Sequence, residues 1–364
     1  MRETDAVRPL RLGHYPTPVE RVSPAIVRPP DGAELWIKRD GFTHDVVGGN
    51  KVRKLEWLLA EARSRGATRL VTAGAAGSHH VLATTYFGRL QGFDVEAVLV
   101  PQPRSAHVVE VLRAGIGLGL RPFAVTSWRE AVWALARRVA SGACFLSVGG
   151  SSVVGAMGYV AAARELANQI RAGELPEPDL CVVALGSAGT AAGLAAGFAH
   201  EGMRTRVVGV VVAEPLWLVR SAASILSRAS FWRARAAGPE LAATSRSSAP
   251  SRRPRLSVDA GFLGRGYGHT TAAGDEATKV ARPLGLTLDP TYTAKAFSAA
   301  LAHARDPRAA PWRGRRARGG KRIILYWHTL SSAPLEPLLE RAPAEADLDP
   351  SLQRLLASGA PHVG

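Results

Sequence analysis

Residues 69–100 read RLVTAGAAGSHHVLATTYFGRLQGFDVEAVLV. Arg69 to Ala73 is a short apolar run suited to a buried strand, and Gly74 to Ser78 is a turn of small residues. Ser78 to Leu90 follows with helical spacing, and Val95 to Val100 is a second apolar run. Strand, turn, helix, strand is the unit that sets two strands side by side in parallel, because the helix carries the chain back to the edge it left.

The pattern continues outward. A helix around Ala106 to Ala114, a short strand Pro122 to Val125, a helix Trp128 to Ala140 and a strand Cys144 to Val148 complete a first set. After a helix Val154 to Ala172, a second set runs through the strand Leu180 to Leu185, the helix Ala191 to His200 and the strand Arg206 to Val212. It ends with a long helical region near Pro215 to Arg235 and a strand Arg322 to Trp327. No internal repeat is visible. The expected fold is α/β, two doubly wound parallel-sheet domains with ligands at the carboxyl ends of the strands.

Composition narrows the class. A chain of 364 residues with 46% hydrophobic and 21% charged residues can fill two cores and is not disordered. Two cysteines and no CxxC or HExxH spacing leave no disulfide framework and no expected metal site. Met1 to Leu10 carries Arg2, Glu3, Asp5 and Arg8 without an apolar stretch behind them, so a cytoplasmic location is expected. Leu180 to Ala199 lacks charge, yet its Ala, Gly, Ser187 and Thr190 suit a strand, turn and helix better than a membrane span. The net charge of +16 is concentrated in Arg228 to Leu256 and Ala304 to Arg322. Without a nucleic-acid-binding motif these segments read as basic surface loops, and no specific nucleic-acid partner is expected.

Only 6 of the 46 basic residues are lysine, and Lys51 and Lys54 lie three apart. A desolvated lysine can shed its proton and attack a carbonyl carbon, which arginine cannot do. The plainer reading is two ordinary lysines at a helix start. Three glycine-rich turns stand out. Leu185 to Thr190 (LGSAGT) ends a strand and opens a helix, a setting for a phosphate or for a simple tight turn. Gly74 to Ser78, followed by His79 and His80, suits either a carboxylate or an N-cap with two surface histidines. Gly264 to Gly268 (GRGYG) offers Tyr267 to a cleft or to packing. A Walker lysine, a GxGxxG fingerprint and a GxSxG elbow are all lacking.

Taken in order, these pieces resemble one family. GGNKVRKLE (Gly48 to Glu56) is similar to the cofactor-lysine motif of the pyridoxal-phosphate enzymes grouped as 1-aminocyclopropane-1-carboxylate deaminases and D-cysteine desulfhydrases. The resemblance recurs at LVTAGAAGSHH (70–80), VGGSSVVGAMGYV (148–160), ALGSAGTAAGL (184–194), GRGYG, LDPTYTAKA (288–296) and LYWHT (325–329). It implies fold type II, with a large domain from residues 1–55 and 160–364, a small domain 56–159, and pyridoxal 5'-phosphate in the cleft between them. A homodimer acting on a small amino acid is implied as well.

By the same resemblance Lys51 would hold the cofactor, with Lys54 a helical turn later expected to point elsewhere. Gly186, Ser187, Ala188, Gly189 and Thr190 would cradle the cofactor phosphate, with Asn50 and Thr329 beside the cofactor. Ser78 would sit at the substrate, His80 and adjacent backbone would grip its carboxylate, and Tyr267 and Tyr292 would be the active-site tyrosines. Where the family usually has Gln-Ser-Asn-His, this chain has Gly77-Ser78-His79-His80, so His79 would stand in for an Asn that touches the cofactor and substrate. Leu330-Ser331 replaces a usual Gly-Gly that would leave room for the ring, and Ala188 and Ala294 replace glycines. The residue after Tyr292 is Thr293, as in the desulfhydrase branch; the deaminases carry Glu there. Three activities follow for testing: D-cysteine desulfhydrase, cyclopropane deaminase, or a degenerate relative that binds without turnover.

Overall fold

The computed structural model describes residues 7–27, 33–237, 252–306 and 321–357. Its strands are the apolar runs. Val19–Arg21 (β1), Glu34–Arg39 (β2), Leu180–Leu185 (β7), Arg206–Val211 (β8), Leu256–Asp259 (β9) and Ile323–His328 (β10) form a six-stranded sheet in the order β1-β2-β10-β7-β8-β9. All its pairings are parallel except that of β1 with β2. Arg69–Ala75 (β3), Asp94–Val100 (β4), Arg121–Ala124 (β5) and Cys144–Phe145 (β6) form a second, wholly parallel sheet ordered β5-β4-β3-β6. The second sheet is inserted between β2 and β7 of the first.

The helices are Pro24–Val27 (α1), Asn50–Ser64 (α2), His79–Leu90 (α3), Ala106–Gly117 (α4), Trp128–Ala140 (α5), Val153–Arg171 (α6), Gly189–His200 (α7) and Leu216–Ala236 (α8), then Ala272–Ala281 (α9) and Thr293–Arg305 (α10). Ser78, Ser105, Ser127, Ser152 and Thr271 start α3, α4, α5, α6 and α9, each side chain accepting a backbone N–H of the first turn. That bond satisfies a donor the helix itself leaves unpaired. Val52, Leu55 and Leu59 of α2, Phe87 of α3, Leu112 of α4 and Met157 and Val160 of α6 share one core, which joins the small sheet to Ala196 and Ala199 of α7. A second core packs α6 and α7 on β7 and β8, and a third packs α9 and α10 on the other face of the large sheet.

Strand order locates the site. In the small sheet the chain runs from β3 outward through β4 and β5, then returns to place β6 on the other flank of β3. In the large sheet it leaves β7 through β8 and β9 and returns to place β10 on the other flank of β7. Each sheet therefore has one point where the connections diverge, and that is where parallel sheets open a crevice at their carboxyl ends. The segments after β3, β6, β7 and β10 are the glycine and histidine motifs of the sequence.

Several expectations need correction. Cys144 to Val148 does not extend as a strand. Only Cys144–Phe145 pairs, because Val148–Gly150 is a tight 3-10 turn with Gly149 and Gly150 at positive φ. The arginines at 228, 233 and 235 lie on α8, not in a loop. Residues 238–251 and 307–320, which hold much of the expected basic segments, lie outside the described residues. No described helix is long and apolar enough to cross a membrane, and the described residues contain no group of three or more metal-ligating side chains.

Candidate active site

Gly48-Gly49-Asn50 turns the chain into α2 and sets the direction of Lys51. Gly49 takes φ +88°, a region that side chains disfavour. The turn is tied to the segment after β10: the Asn50 N–H donates to Thr329 O (3.0 Å) and the Gly48 N–H to Ser331 Oγ (3.0 Å). Ser331, at a position where the resembled motif has glycine, thus anchors the lysine turn. Asn50 Nδ2 donates to Thr190 Oγ1 (3.2 Å), linking the start of α2 to the start of α7.

Lys54 does not point away, as the helical spacing suggested. Its Nζ donates to Gly149 O (3.0 Å) and lies 3.5 Å from Ser151 Oγ. Ser151 Oγ also accepts the Gly189 N–H (3.0 Å) and donates to Ser187 Oγ (2.8 Å). A Cβ on Gly189 would stand 2.6 Å from Ser151 Oγ and 3.0 Å from Lys54 Nζ, so only glycine keeps this cradle open. Burial, and then the charge of Lys51, push the Lys54 amine well below its usual range, and no carboxylate pairs with it among the described residues. A helix N-terminus, hydroxyls, a backbone N–H and a buried lysine amine without a carboxylate partner form a donor set that fits a phosphate, whose charge would favour the protonated amine. Of the expected phosphate loop, Ser187, Gly189 and Thr190 take part in these contacts, while Gly186 packs under the Tyr292 ring.

Burial lowers Lys51 to about 8, and the Asp289 charge partly offsets that effect. With that value about a tenth of the amine is neutral at pH 7, enough for a nucleophile or base. Asp289 is a residue the sequence reading passed over. Its carboxylate accepts the N–H groups of Thr291, Tyr292 and Thr293 and the Thr293 hydroxyl (2.6 Å), and so holds the start of α10. Its charge also acts on His79, Tyr267 and Tyr292. An Asp three residues before Tyr292, followed by Pro290, is the available signal: it is the pattern of a capping turn.

The two tyrosines meet. Tyr292 OH donates to Tyr267 OH (2.9 Å), with the rings edge to face. Burial raises both phenols, so both are protonated at neutral pH; the bond from Tyr292 pulls Tyr267 back part of the way. Because Tyr292 spends its proton on Tyr267, the proton of Tyr267 is the one free to be offered.

Ser78 caps α3, accepting the Val81 N–H at 3.4 Å, with its own hydroxyl proton left to donate. His79 Nε2 faces His107 Nε2 of α4 at 2.8 Å. His80 is buried beneath the site, its Nε2 3.1 Å from Thr72 Oγ1, which is also 2.8 Å from Leu146 O. Which partner donates in the Thr72 contact is set by the ring nitrogen of His80 that carries the proton, and the Ser147 backbone bonds to the same ring. The structure thus gathers Asn50, Ser187 to Thr190, Thr329 and the two tyrosines around Lys51, Lys54 and Asp289. It adds Lys54, Ser151, His107 and Asp289.

Ala188 is the one described non-glycine residue at positive φ (+71°). A left-handed Ala costs about 1–2 kcal/mol, and glycine returns part of that through its freer unfolded chain. Ala188→Gly is expected to raise unfolding stability by about 0.5–1 kcal/mol, read from urea denaturation curves. A loss of stability would contradict the strained turn.

Comparison with known proteins gives relatives along most of the chain. The family model described as pyridoxal-phosphate dependent enzyme matches residues 10–312. A D-cysteine desulfhydrase of Salmonella paratyphi C (strain RKS4594) is 36% identical over 304 residues, covering 79% of this chain and 86% of the relative. A solved structure described as an ACC deaminase homologue superposes with TM-score 0.71 at 28% identity, covering 92% of this chain and 96% of that one. An O-ureido-L-serine synthase structure is similar in fold, with TM-score 0.58 at 15% identity over 91% of this chain and 95% of that chain.

Proposed function

The chain belongs to the pyridoxal-phosphate dependent enzymes, and from that membership we propose that it breaks the carbon–sulfur bond of a cysteine, most like D-cysteine desulfhydrase, releasing pyruvate, ammonia and sulfide. The observation that carries the reading is the pair of lysines: Lys54, buried in an anion cradle, and Lys51 beside it with its amine lowered to about 8. Ser187, Gly189 and Thr190 with Lys54 would hold the cofactor phosphate, and Asn50 and Thr329 would flank the cofactor. When bound, pyridoxal phosphate supplies an electron sink for the charge left at Cα.

The protein's own residues do the rest. The Ser78 hydroxyl, the backbone N–H groups at the start of α3 and His80 hold the substrate carboxylate. The Lys51 amine takes the proton from Cα at Nζ. Tyr267 offers its proton to the departing sulfur, and the bond from Tyr292 stabilises the phenolate left behind. Elimination is favoured over cyclopropane opening because Thr293 stands where the deaminases carry a carboxylate. A carboxylate would keep the ring nitrogen protonated and deepen the sink that a strained ring needs. Thiolate leaves with less help.

The reading includes the division into a large part, residues 1–55 with 160–364, and a small part, 56–159. It also takes the enzyme to be a cytoplasmic homodimer. Trp217, Ile225 and Trp232 on α8, at 69%, 68% and 64% exposure, offer an apolar face that a second copy would cover. The deciding experiment gives the purified holoenzyme D-cysteine, L-cysteine and 1-aminocyclopropane-1-carboxylate at matched concentrations. Sulfide and pyruvate from a cysteine are expected. Efficient 2-oxobutanoate from the cyclopropane substrate, without sulfide from either cysteine, would place the protein in the deaminase branch.

A further inference from the structure

Tyr267 sits in a stretch without regular structure. Residues 263–268 read LGRGYG, and Gly264, Gly266 and Gly268 all take positive φ. Such a segment has little of its own to fix it: the Gly266 N–H reaches Leu263 O only at 3.4 Å. The direction of the Tyr267 phenol is therefore set by what holds the segment from outside.

Lys295, in the first turn of α10, supplies that hold. Its side chain is fully buried, and its Nζ donates to Leu263 O and to Gly266 O, each at 2.8 Å. These are the carbonyls of the first and last residues of the turn 263–266. The second belongs to the planar peptide group that joins Gly266 to Tyr267, so this bond fixes the plane from which the Tyr267 side chain departs. Among the described residues Gly266 O has no other donor. Three residues before Lys295, Tyr292 donates to Tyr267 OH (2.9 Å). The backbone end and the phenol end of Tyr267 are thus both held from the start of α10, which Asp289 caps. On its other side the segment meets the small sheet. The Tyr267 ring packs against the cluster of Ala75 and Val100, and a Cβ on Gly268 would stand 2.9 Å from Pro103 Cδ.

We propose that Lys295 is a positioning residue for Tyr267, holding the Gly266–Tyr267 peptide so that the phenol faces the leaving group of the substrate. The role rests on the elimination reading, in which Tyr267 gives its proton to sulfur. When the bond from Cβ to sulfur breaks, its electron pair goes to sulfur and the Tyr267 proton follows. Chloride takes the same electron pair and leaves without a proton. A chloro substrate therefore has no need of Tyr267, nor of the lysine that aims it.

The test compares cysteine with 3-chloroalanine of the same configuration, on the holoenzyme of the wild type and of Lys295→Met, which keeps an apolar chain but donates nothing. The kcat for pyruvate release from cysteine should fall about 10²-fold, the low end for a positioned proton transfer, and that from 3-chloroalanine by less than about threefold. Tyr267→Phe should show the same selectivity. Adding Lys295→Met to it should cost less than about threefold more, because the lysine acts only through the phenol. Equal losses on the two substrates, no loss on cysteine, or full additivity in the double variant overturns the role. Should Lys295→Met fail to fold, Lys295→Gln takes its place. Its amide is shorter and uncharged, so a loss of about tenfold confined to cysteine is expected, and an unselective loss or none overturns the role. A second readout needs no turnover. With 3-fluorotyrosine at all six tyrosines, Tyr267→Phe identifies the Tyr267 ¹⁹F signal of the holoenzyme, and the Lys295 variant should move that signal. An unmoved signal overturns the role even if the wild type releases no sulfide, an outcome that by itself would count only against the desulfhydrase reading.

Discussion

Lys51→Ala is expected to lower turnover by about 10²–10⁴-fold and to abolish covalent capture of the cofactor. Nothing else described can take over. Lys54 is the nearer alternative, but its amine is held by Gly149 O and Ser151 in the anion cradle. Borohydride reduction followed by peptide mass mapping should therefore find the pyridoxyl mass on Lys51 in the wild type and nowhere in the variant. A label on Lys54 would exchange the two roles. The same site predicts a pH dependence. Only the neutral amine attacks a carbonyl, and burial brings Lys51 to about 8. The rate at which the cofactor-free protein captures pyridoxal phosphate should rise about tenfold per pH unit below 8 and level off above it. Capture that continues to rise to pH 10 would mean that Lys51 is not lowered.

Arg53→Met is expected to destabilise the fold by about 3–5 kcal/mol, the range for stranding a buried charge by removing its partner. Arg53 lies between the two lysines in sequence but on another face of α2. It pairs with Asp40 (2.8 Å) and Glu165 (2.9 Å), and all three are buried or nearly so. Asp40 Oδ2 also accepts Tyr159 OH and Trp327 Nε1, each at 2.7 Å, so the loss would leave a carboxylate with only neutral donors beneath the site. Urea denaturation of wild type and variant measures the effect; a change below about 1 kcal/mol would show the cluster to be dispensable. The cluster also sets an acid limit. Burial alone would raise Glu165, but the charges of Arg53 and Lys38 outweigh it and bring the carboxyl down from 4.5 to about 2. A lowered carboxyl contributes stability that is complete above its unfolded value. That contribution should be lost as pH falls from about 4.5 toward 2, and the loss should be absent in Glu165→Gln.

Much of this protein is legible in its sequence, and the legible parts are local. The alternation of apolar runs and helical spacing from Arg69 to Trp327 specifies an α/β chain, because a strand or helix reports its buried face through a repeat of a few residues. The strands Glu34–Arg39 and Leu256–Asp259 escaped that reading, since short runs interrupted by Glu34, Lys38, Arg39 and Asp259 have no clean period. Lys51 was legible because a lysine straight after Gly-Gly-Asn belongs to a nine-residue motif. What Lys54 does was not: residues three apart share a helix face, and the spacing does not say what that face meets. Only the packing of α2 against the turn after β6 shows that it meets Gly149, Ser151 and the start of α7. Asp289 and His107 were hidden for the same reason. Asp289 acts on groups at positions 51, 79 and 267, and His107 meets His79 across a gap that the lack of a side chain on Gly77 keeps narrow. Periodicity and motifs record what each residue needs from its neighbours along the chain. The charges and hydrogen bonds of the site join segments that only the strand order of two sheets brings together, so tertiary structure alone decided them.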